Sequence, residues 1–514
     1  MTLPVVIVLL ASVVATGLAD YRWWRVAQRE HYLAGSASRF ALRWWVRLGP
    51  NRLLALAAVL GTVLAPISPF TALVGLMAVA VGPFRFPLRG RAPGPVVWTT
   101  RLRTVAGVTV ALQILFVVLG AVAGAAVPAA ALVALLAPAA VDVALAALRP
   151  VEEHKAERFV HQATTRLRQI DPLVVAITGS YGKTTTKAYA AHLIGTVRTV
   201  VPTPASFNNR AGLSRAVNEH LVPGTEVFIA EMGTYGPGEI AELCEWCRPK
   251  IAAITAIGPV HLERFGDEDA IVRAKSEIFV YADVAVLNVD DARLAAVSYH
   301  LEQAGKKVIR TSANDRAADV SACELDGRLV VRAHGEQLAD LPAPDAVPGN
   351  VAVAVALALA AGVSGSAVGA ALATLPSVAS RRATTSLSTG AIAIDDTFNS
   401  NPAGCRAALA TMTRLGAGSG KRVVVTPGMV ELGGRQEQEN AAFAAEAATI
   451  ATQFVVVGFT NRTALLSGAR SAPPHGRAEI LVADTHEWAV EWVRANTASG
   501  DVVLYENQLP DHYP

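Results

Sequence analysis

Hydrophobic positions along this 514-residue chain change their rhythm near residue 150. Before it, residues 3–19, 53–83, 104–125 and 127–148 carry no Lys, Arg or Glu, and Asp142 is their sole acid. Each is long enough for a lipid crossing, which needs ~20 apolar residues with a lower limit of ~17. The second stretch is interrupted by Pro66-Ile67-Ser68-Pro69, which leaves halves of roughly 15 residues, too short to cross singly, and predicts a re-entrant hairpin. Beyond residue 149, short Val/Ile/Ala-rich runs alternate with amphipathic stretches, the pattern of stacked β-α-β units around a mostly parallel sheet. The predicted fold is therefore α/β with N-terminal transmembrane helices. Those are followed by a phosphate-loop ATPase domain and a C-terminal Rossmann-like domain.

Charge sharpens the division. Residues 1–150 hold 13 Arg, no Lys and 3 acids, a net of +10, and the remainder is −7. Seven of those arginines lie in residues 20–52 and five in 84–103. Basic loops stay cytoplasmic, so the N-terminus is expected outside and everything after residue 149 in the cytoplasm. The start, MTLP, lacks a basic leader, which argues against a cleaved signal peptide. Asp142 is expected near the inner interface, and Trp23, Trp24, Trp44 and Trp45 as interfacial anchors. With 52% hydrophobic and 17% charged residues, the chain is too apolar for one soluble globule. An acidic soluble part without a basic stripe excludes nucleic acid as the main partner. Four cysteines in such a length form no disulfide framework, and the lone CxxC, Cys244 and Cys247, reads as structural rather than as a zinc site.

The chemistry begins at LVVAIT (173–178), followed by Gly179-Ser180-Tyr181-Gly182-Lys183-Thr184-Thr185 and a helix expected from Lys183 to about Ile194. Strand, glycine turn and helix come in the order that cradles phosphate oxygens with backbone N–H groups and a helix N-terminus. Lys183 would bridge the outer phosphates and Thr184 would ligate magnesium. The next strand, EVFIAE (226–231), ends in Glu231, where a second magnesium-holding carboxylate belongs. His261 and Lys275 follow later strands. Helices are expected over 351–361 and 364–374, and strands at AIAID (391–395), RVVVT (422–426), QFVVV (453–457), EILVA (479–483) and DVVLY (501–505). Three parts result: a transmembrane region 1–150 of about three to five passes, a central ATP-binding domain 151–378 and a C-terminal domain 379–514.

The blocks TGSYGKTTTK, SFNNR, EMGTYGPGEI, HLERFG, AKSEIF, LNVDD, DDTFNSNP and GMVELG, in this order over roughly residues 170–460, resemble the Mur ligase family. The branch they resemble most adds D-alanyl-D-alanine to UDP-muramoyl tripeptide. The resemblance implies an ATP- and Mg2+-dependent acid–amino-acid ligase: a carboxylate becomes an acyl phosphate, an amine attacks it, and an amide, ADP and phosphate leave. It implies that Lys183 and Thr184 serve the triphosphate and first magnesium, that Glu231 and His261 add metal coordination, and that Lys275 is carbamylated and supports a second metal. Asn208 and Asn209 match the asparagines near the transferred phosphate, Asn288 and Asn350 the adenine contacts, Asp396 the ribose, and Arg381 the arginine reaching the phosphates from the C-terminal domain.

Three departures stand out. The membrane region replaces the soluble domain that binds the UDP-sugar. The PGRHN-type segment reads PGNVAVAV, and the KGSR-type signature is absent, with ENQLPDHYP following DVVLY. The expected partners are thus the bilayer, a carboxylate-bearing envelope precursor, possibly lipid-linked, and an amino acid or dipeptide. The alternatives are a poly-γ-glutamate or folylpolyglutamate type of synthase, and a membrane ATPase that forms no bond.

Overall fold

A computed structural model describes residues 2–86, 96–205, 207–260, 262–342, 347–376, 383–397, 400–416, 418, 420–510 and 512–513. The N-terminal region is helical: α1 (Leu3–Arg29), α2 (Ser36–Arg47), α3 (Gly49–Val63), α4 (Pro69–Val81), α5 (Thr100–Val122), α6 (Ala126–Leu135) and α7 (Ala137–Ile170). Helices α1 and α5 are long and apolar enough to cross a membrane. They turn Leu10, Val13, Leu115 and Leu119 outward. The interrupted stretch 53–83 folds as the hairpin α3–α4, whose arms cross where Gly61 meets Gly75. A Cβ on Gly61 would lie 2.5 Å from the Gly75 nitrogen, and small residues are what such close crossings need.

The expected straight pass over 127–148 is replaced by α6 and the start of α7, bent by 75°. Pro138 lacks the N–H that would carry α6 onward, so the helix breaks and restarts. Among the described residues, α6 and α7 add a third span only if the bent pair counts as one. Asp142, on α7, accepts the backbone N–H groups of Ala37 and Ser38 at 3.2 and 2.8 Å. It caps the first turn of α2, where an anion is favoured. Residue 150 lies within α7, whose far end buries Ala163 and Leu167 in the core of the next domain.

That domain is built on a nine-stranded sheet among the described residues, in the order β2-β3-β1-β4-β5-β6-β7-β8-β9. Its strands are β1 (Leu173–Thr178), β2 (Val200–Pro202), β3 (Val227–Glu231), β4 (Ile251–Ile254), β5 (Val284–Asn288), β6 (Lys307–Ser312), β7 (Val320–Leu325), β8 (Arg328–Ala333) and β9 (Glu336–Pro342). Strands β1 to β7 pair in parallel, and β7, β8 and β9 antiparallel. Helices α7, α9 (Arg210–His220), α10 (Glu239–Cys247), α12 (Glu268–Ser276) and α13 (Ala292–Gln303) supply one face; α11 (Leu262–Phe265) is a single turn on the same side. The other face carries α8 (Lys183–Ile194), α14 (Pro348–Ala360) and α15 (Gly365–Leu372). Helix α14 is buried from Val351 to Ala358, which explains its unbroken Val/Ala/Leu composition. Cys244 and Cys247 lie in the α10 core with free thiols that burial pushes up.

The last domain holds a six-stranded sheet among the described residues, β10-β11-β15-β12-β13-β14. Its strands are β10 (Ala383–Ser386), β11 (Ile392–Asp396), β12 (Arg422–Thr426), β13 (Gln453–Val457), β14 (Glu479–Ala483) and β15 (Val502–Glu506). Only β10 runs antiparallel to its neighbour. Helices α16 (Pro402–Leu415), α17 (Gln436–Ile450), α18 (Arg462–Ser471) and α19 (His486–Asn496) complete it. In both domains the polar residues of interest follow the carboxyl ends of parallel strands, where open α/β sheets bind ligands.

Candidate active site

The loop after β1 folds as a phosphate cradle because two of its residues are glycines. Gly182 has φ +79°, and a Cβ there would lie 2.2 Å from Asn350 Oδ1. Gly179 (φ +153°) is as tightly enclosed, its Cβ position 2.0 Å from Thr255 Oγ1. Helix α8 begins at Lys183, so its free N–H groups face the loop. Lys183 Nζ donates to Gly179 O across the loop at 2.7 Å. The Ser180 N–H donates to Ala256 O at 2.7 Å and its hydroxyl to Gly258 O at 3.2 Å. Thr185 sits half-buried in the same first turn.

Register places the acidic end of β3 beside this loop: Ile177 on β1 pairs with Glu231. The Thr184 hydroxyl donates to Glu231 Oε2 at 3.0 Å. The Asn208 amide reaches Oε1 at 3.3 Å. Lys187 Nζ lies 2.9 Å from Oε2 and also donates to Ala205 O at 2.7 Å. Both members of the Lys187–Glu231 pair are buried. Lys187 is not among the residues expected from sequence. Its signal is the second lysine of KTTTK, one helical turn after Lys183 and so on the same face of α8. Asn209 acts on the backbone instead, where its Oδ1 accepts the Gly212 N–H at 2.9 Å and caps α9.

Lys275, on α12, is 3% exposed. Burial, helped by the positive charge of Lys183, pushes its ammonium well below the usual lysine range. A lysine held neutral is a nucleophile able to take up carbon dioxide. On the far side, Asn288 at the end of β5 and Asn350 in the first turn of α14 converge on the loop. Asn350 touches Gly182, and a Cβ on Gly349 would lie 3.3 Å from Asn288 Nδ2. The structure thus brings Gly179, Ser180, Gly182, Lys183, Thr184, Glu231, Asn208 and Asn350 around one loop, with Lys275 and Asn288 adjoining. His261 and Arg381 lie outside the described residues.

Asp396 belongs to the C-terminal sheet, where it ends β11 and pairs in register with Glu506 on β15. Glu506, at the position of the missing basic signature, is 1% exposed. It accepts from Ser400 Oγ at 2.5 Å and from Cys405 Sγ at 3.0 Å. Burial and then the Asp396 charge raise its carboxyl above the ordinary range. The two domains meet where Arg435 and Arg293 both pair with Glu268, the former at 3.0 Å. Beside that pairing is a cavity of about 340 Å³ lined by Leu262, Asp267, Glu268, Arg293 and Arg435.

A phosphate cradle, a hydroxyl–carboxylate pair fit for magnesium and a second α/β domain that meets the first at Glu268 define a two-domain enzyme that transfers phosphate from ATP. Residues 177–340 match the Mur ligase middle domain, and residues 381–505 match the Mur ligase, glutamate ligase domain. The UDP-N-acetylmuramoyl-tripeptide--D-alanyl-D-alanine ligase of Mycobacterium tuberculosis is 32% identical over 359 residues, covering 64% of this chain and 69% of that protein. The Escherichia coli enzyme of the same name is 29% identical over 52% of this chain and 61% of its own length. A crystal structure of MurF from Acinetobacter baumannii superposes with a TM-score of 0.58 at 26% identity, covering 69% of this chain and 78% of that one. MurF from Thermotoga maritima in complex with ADP shares the fold, with a TM-score of 0.56 at 24% identity over 69% of this chain and 80% of its own. The chain belongs to the Mur ligase family. It is an ATP-dependent peptide ligase, which removes the reading as a membrane pump.

Proposed function

We propose that this protein is a membrane-embedded Mur ligase of peptidoglycan synthesis, with residues 1–150 forming its membrane region and the ATP-binding (151–378) and C-terminal (379–514) domains in the cytoplasm. It joins an amino acid or dipeptide, with D-alanyl-D-alanine the first candidate, to the carboxylate of an envelope precursor carried by a membrane lipid. The observation that supports a lipid-borne donor is the seat of α2. Arg43 pairs with Glu263 at 2.7 Å, so the membrane region rests on α11, in the segment that follows β4 at the carboxyl end of the sheet. A donor carboxylate arriving from the bilayer side has a short path to that end.

In this reading Lys183 and the N–H groups of the loop hold the triphosphate, and Asn288, Asn350 and Asp396 orient the nucleoside. Thr184, Glu231 and His261 are suited to magnesium; when bound, the metal withdraws charge from the phosphates so that a carboxylate can approach. Lys187 compensates the buried Glu231 and fixes its orientation. Asn208 holds the other Glu231 oxygen, while Asn209 secures the helix behind it. Lys275, as a carbamate, supplies a second anion where the charged ammonium is disfavoured. Arg381 completes the phosphate site on closure, which excludes water from the acyl phosphate.

The test is ADP release by full-length protein in lipid nanodiscs, with lipid-linked muropeptide, UDP-linked muropeptide or free peptide as donor and D-alanyl-D-alanine or single amino acids as acceptor. The reading expects the lipid-linked donor to be used at least tenfold faster. Equal rates with the UDP-linked donor would remove the lipid-borne substrate.

A further inference from the structure

One buried carboxylate of the membrane region touches both catalytic domains. Glu30, just past the end of α1, is 7% exposed. It pairs with Arg39 of α2 at 2.9 Å, with Arg264 of the one-turn helix α11 at 3.8 Å, and with His512 Nε2 of the C-terminal tail at 2.9 Å. Each partner comes from a different part of the chain: the membrane region, the ATP domain and the C-terminal domain. Around this node the tail is seated in detail. Trp44 Nε1 donates to His512 O at 2.8 Å. The Phe40 ring meets His512 and Tyr513 edge-on, at 4.6 and 4.9 Å between centroids. Farther out, Arg47 donates to Thr460 O, and Arg85 pairs with Asp484 at 2.9 Å.

We propose that Glu30 and His512 are positioning residues for ligation: they clasp the C-terminal tail and α11 to the α1–α2 corner, and so hold the two catalytic domains in working register. Helix α11 needs such help, because one turn fixes more backbone than its hydrogen bonds repay. Its Leu262 also backs directly on the C-terminal domain, where a Cβ on Gly433 would lie 3.1 Å from Leu262 Cβ. A shift of the tail is thereby felt at α11. Removing any partner of this buried carboxylate leaves it less well compensated and weakens the hold on the others, which couples the three contacts of the clasp. The inference goes beyond the choice of donor and holds for whichever carboxylate the enzyme uses.

The experiment compares full-length wild type, His512→Ala, His512→Gln, Glu30→Ala and the Glu30→Ala/His512→Ala double variant in nanodiscs. It reads ADP release and hydrogen exchange. Both alanine variants should lose at least tenfold in kcat with the KM for ATP within twofold. His512→Gln, which keeps a donor, should recover part of the loss, and the double variant should be no worse than the poorer single. Exchange should quicken in the tail and over residues 262–266, a readout that needs no turnover. Should His512→Ala fail to fold, Glu30→Gln, of unchanged shape, is read by the same criteria. A kcat within twofold of wild type, losses that multiply in the double variant, or unchanged exchange at the tail would overturn the proposal.

Discussion

Replacing Gly182 by alanine isolates the phosphate loop. The backbone there has φ +79°, and the new Cβ would fall 2.2 Å from Asn350 Oδ1. A left-handed conformation costs an alanine ~1–2 kcal/mol. Displacing Asn350 forfeits the one hydrogen bond to nucleotide that the proposed function assigns to it, worth ~0.5–1.5 kcal/mol. The free loop escapes both by relaxing out of its cradle, so the cost falls on binding, and the sum of about 1.5–3.5 kcal/mol corresponds to a roughly 10- to 400-fold weaker affinity for ATP. Titration calorimetry with ATP and magnesium reads this directly. Gly305 is the control: its φ is +78° with open space around the Cβ position, in the turn after α13. Gly305→Ala should leave ATP affinity unchanged. An affinity in Gly182→Ala within threefold of wild type, or an equal loss in Gly305→Ala, would refute the reasoning.

Three other outcomes are expected. Lys187→Met strands the buried Glu231 carboxylate and should destabilise the ATP domain by ~3–5 kcal/mol in denaturant titration, with Glu231→Gln in the same chain restoring most of it. The Glu506 carboxyl is raised by burial, so the folded state holds a proton that the unfolded chain releases. Its stabilising effect is complete below the ordinary carboxylate range and is lost as pH rises through the raised value. Glu506→Gln should therefore melt higher than wild type near pH 9, with the difference vanishing near pH 4, and a constant difference across that range would contradict the assignment. Lys275→Ala should retain ATP binding and lose turnover at least 100-fold, and native protein mass spectrometry should find one added carbon dioxide on wild type that the variant lacks.

The catalytic half was legible because its signals are local. Hydrophobic runs end within one residue of where β1, β3 and the C-terminal strands end, and the glycine pair announces the loop between β1 and α8. What sequence hid depends on packing between distant segments. The α6–α7 break sits in an evenly Ala-rich run where Pro138 alone marks it. The antiparallel strands β8 and β9 are interrupted by charged residues such as Arg328, Arg332, Glu336 and Asp340, which breaks the apolar run that marks the parallel strands. Lys187 reads as a surface lysine until register sets Glu231 beside it. Nothing in the tail ENQLPDHYP announces its seat, which Glu30 and the aromatic pocket of Phe40 and Trp44, some 470 residues earlier, provide for its last residues.

The central claim is that ATP cleavage here is bound to amide formation. The most direct measurement is the ratio of ADP to new amide for full-length protein in nanodiscs, with and without the amine. The account predicts one ADP per amide, and negligible ADP when either donor or amine is withheld. Continuous ATP hydrolysis indifferent to the amine would contradict it.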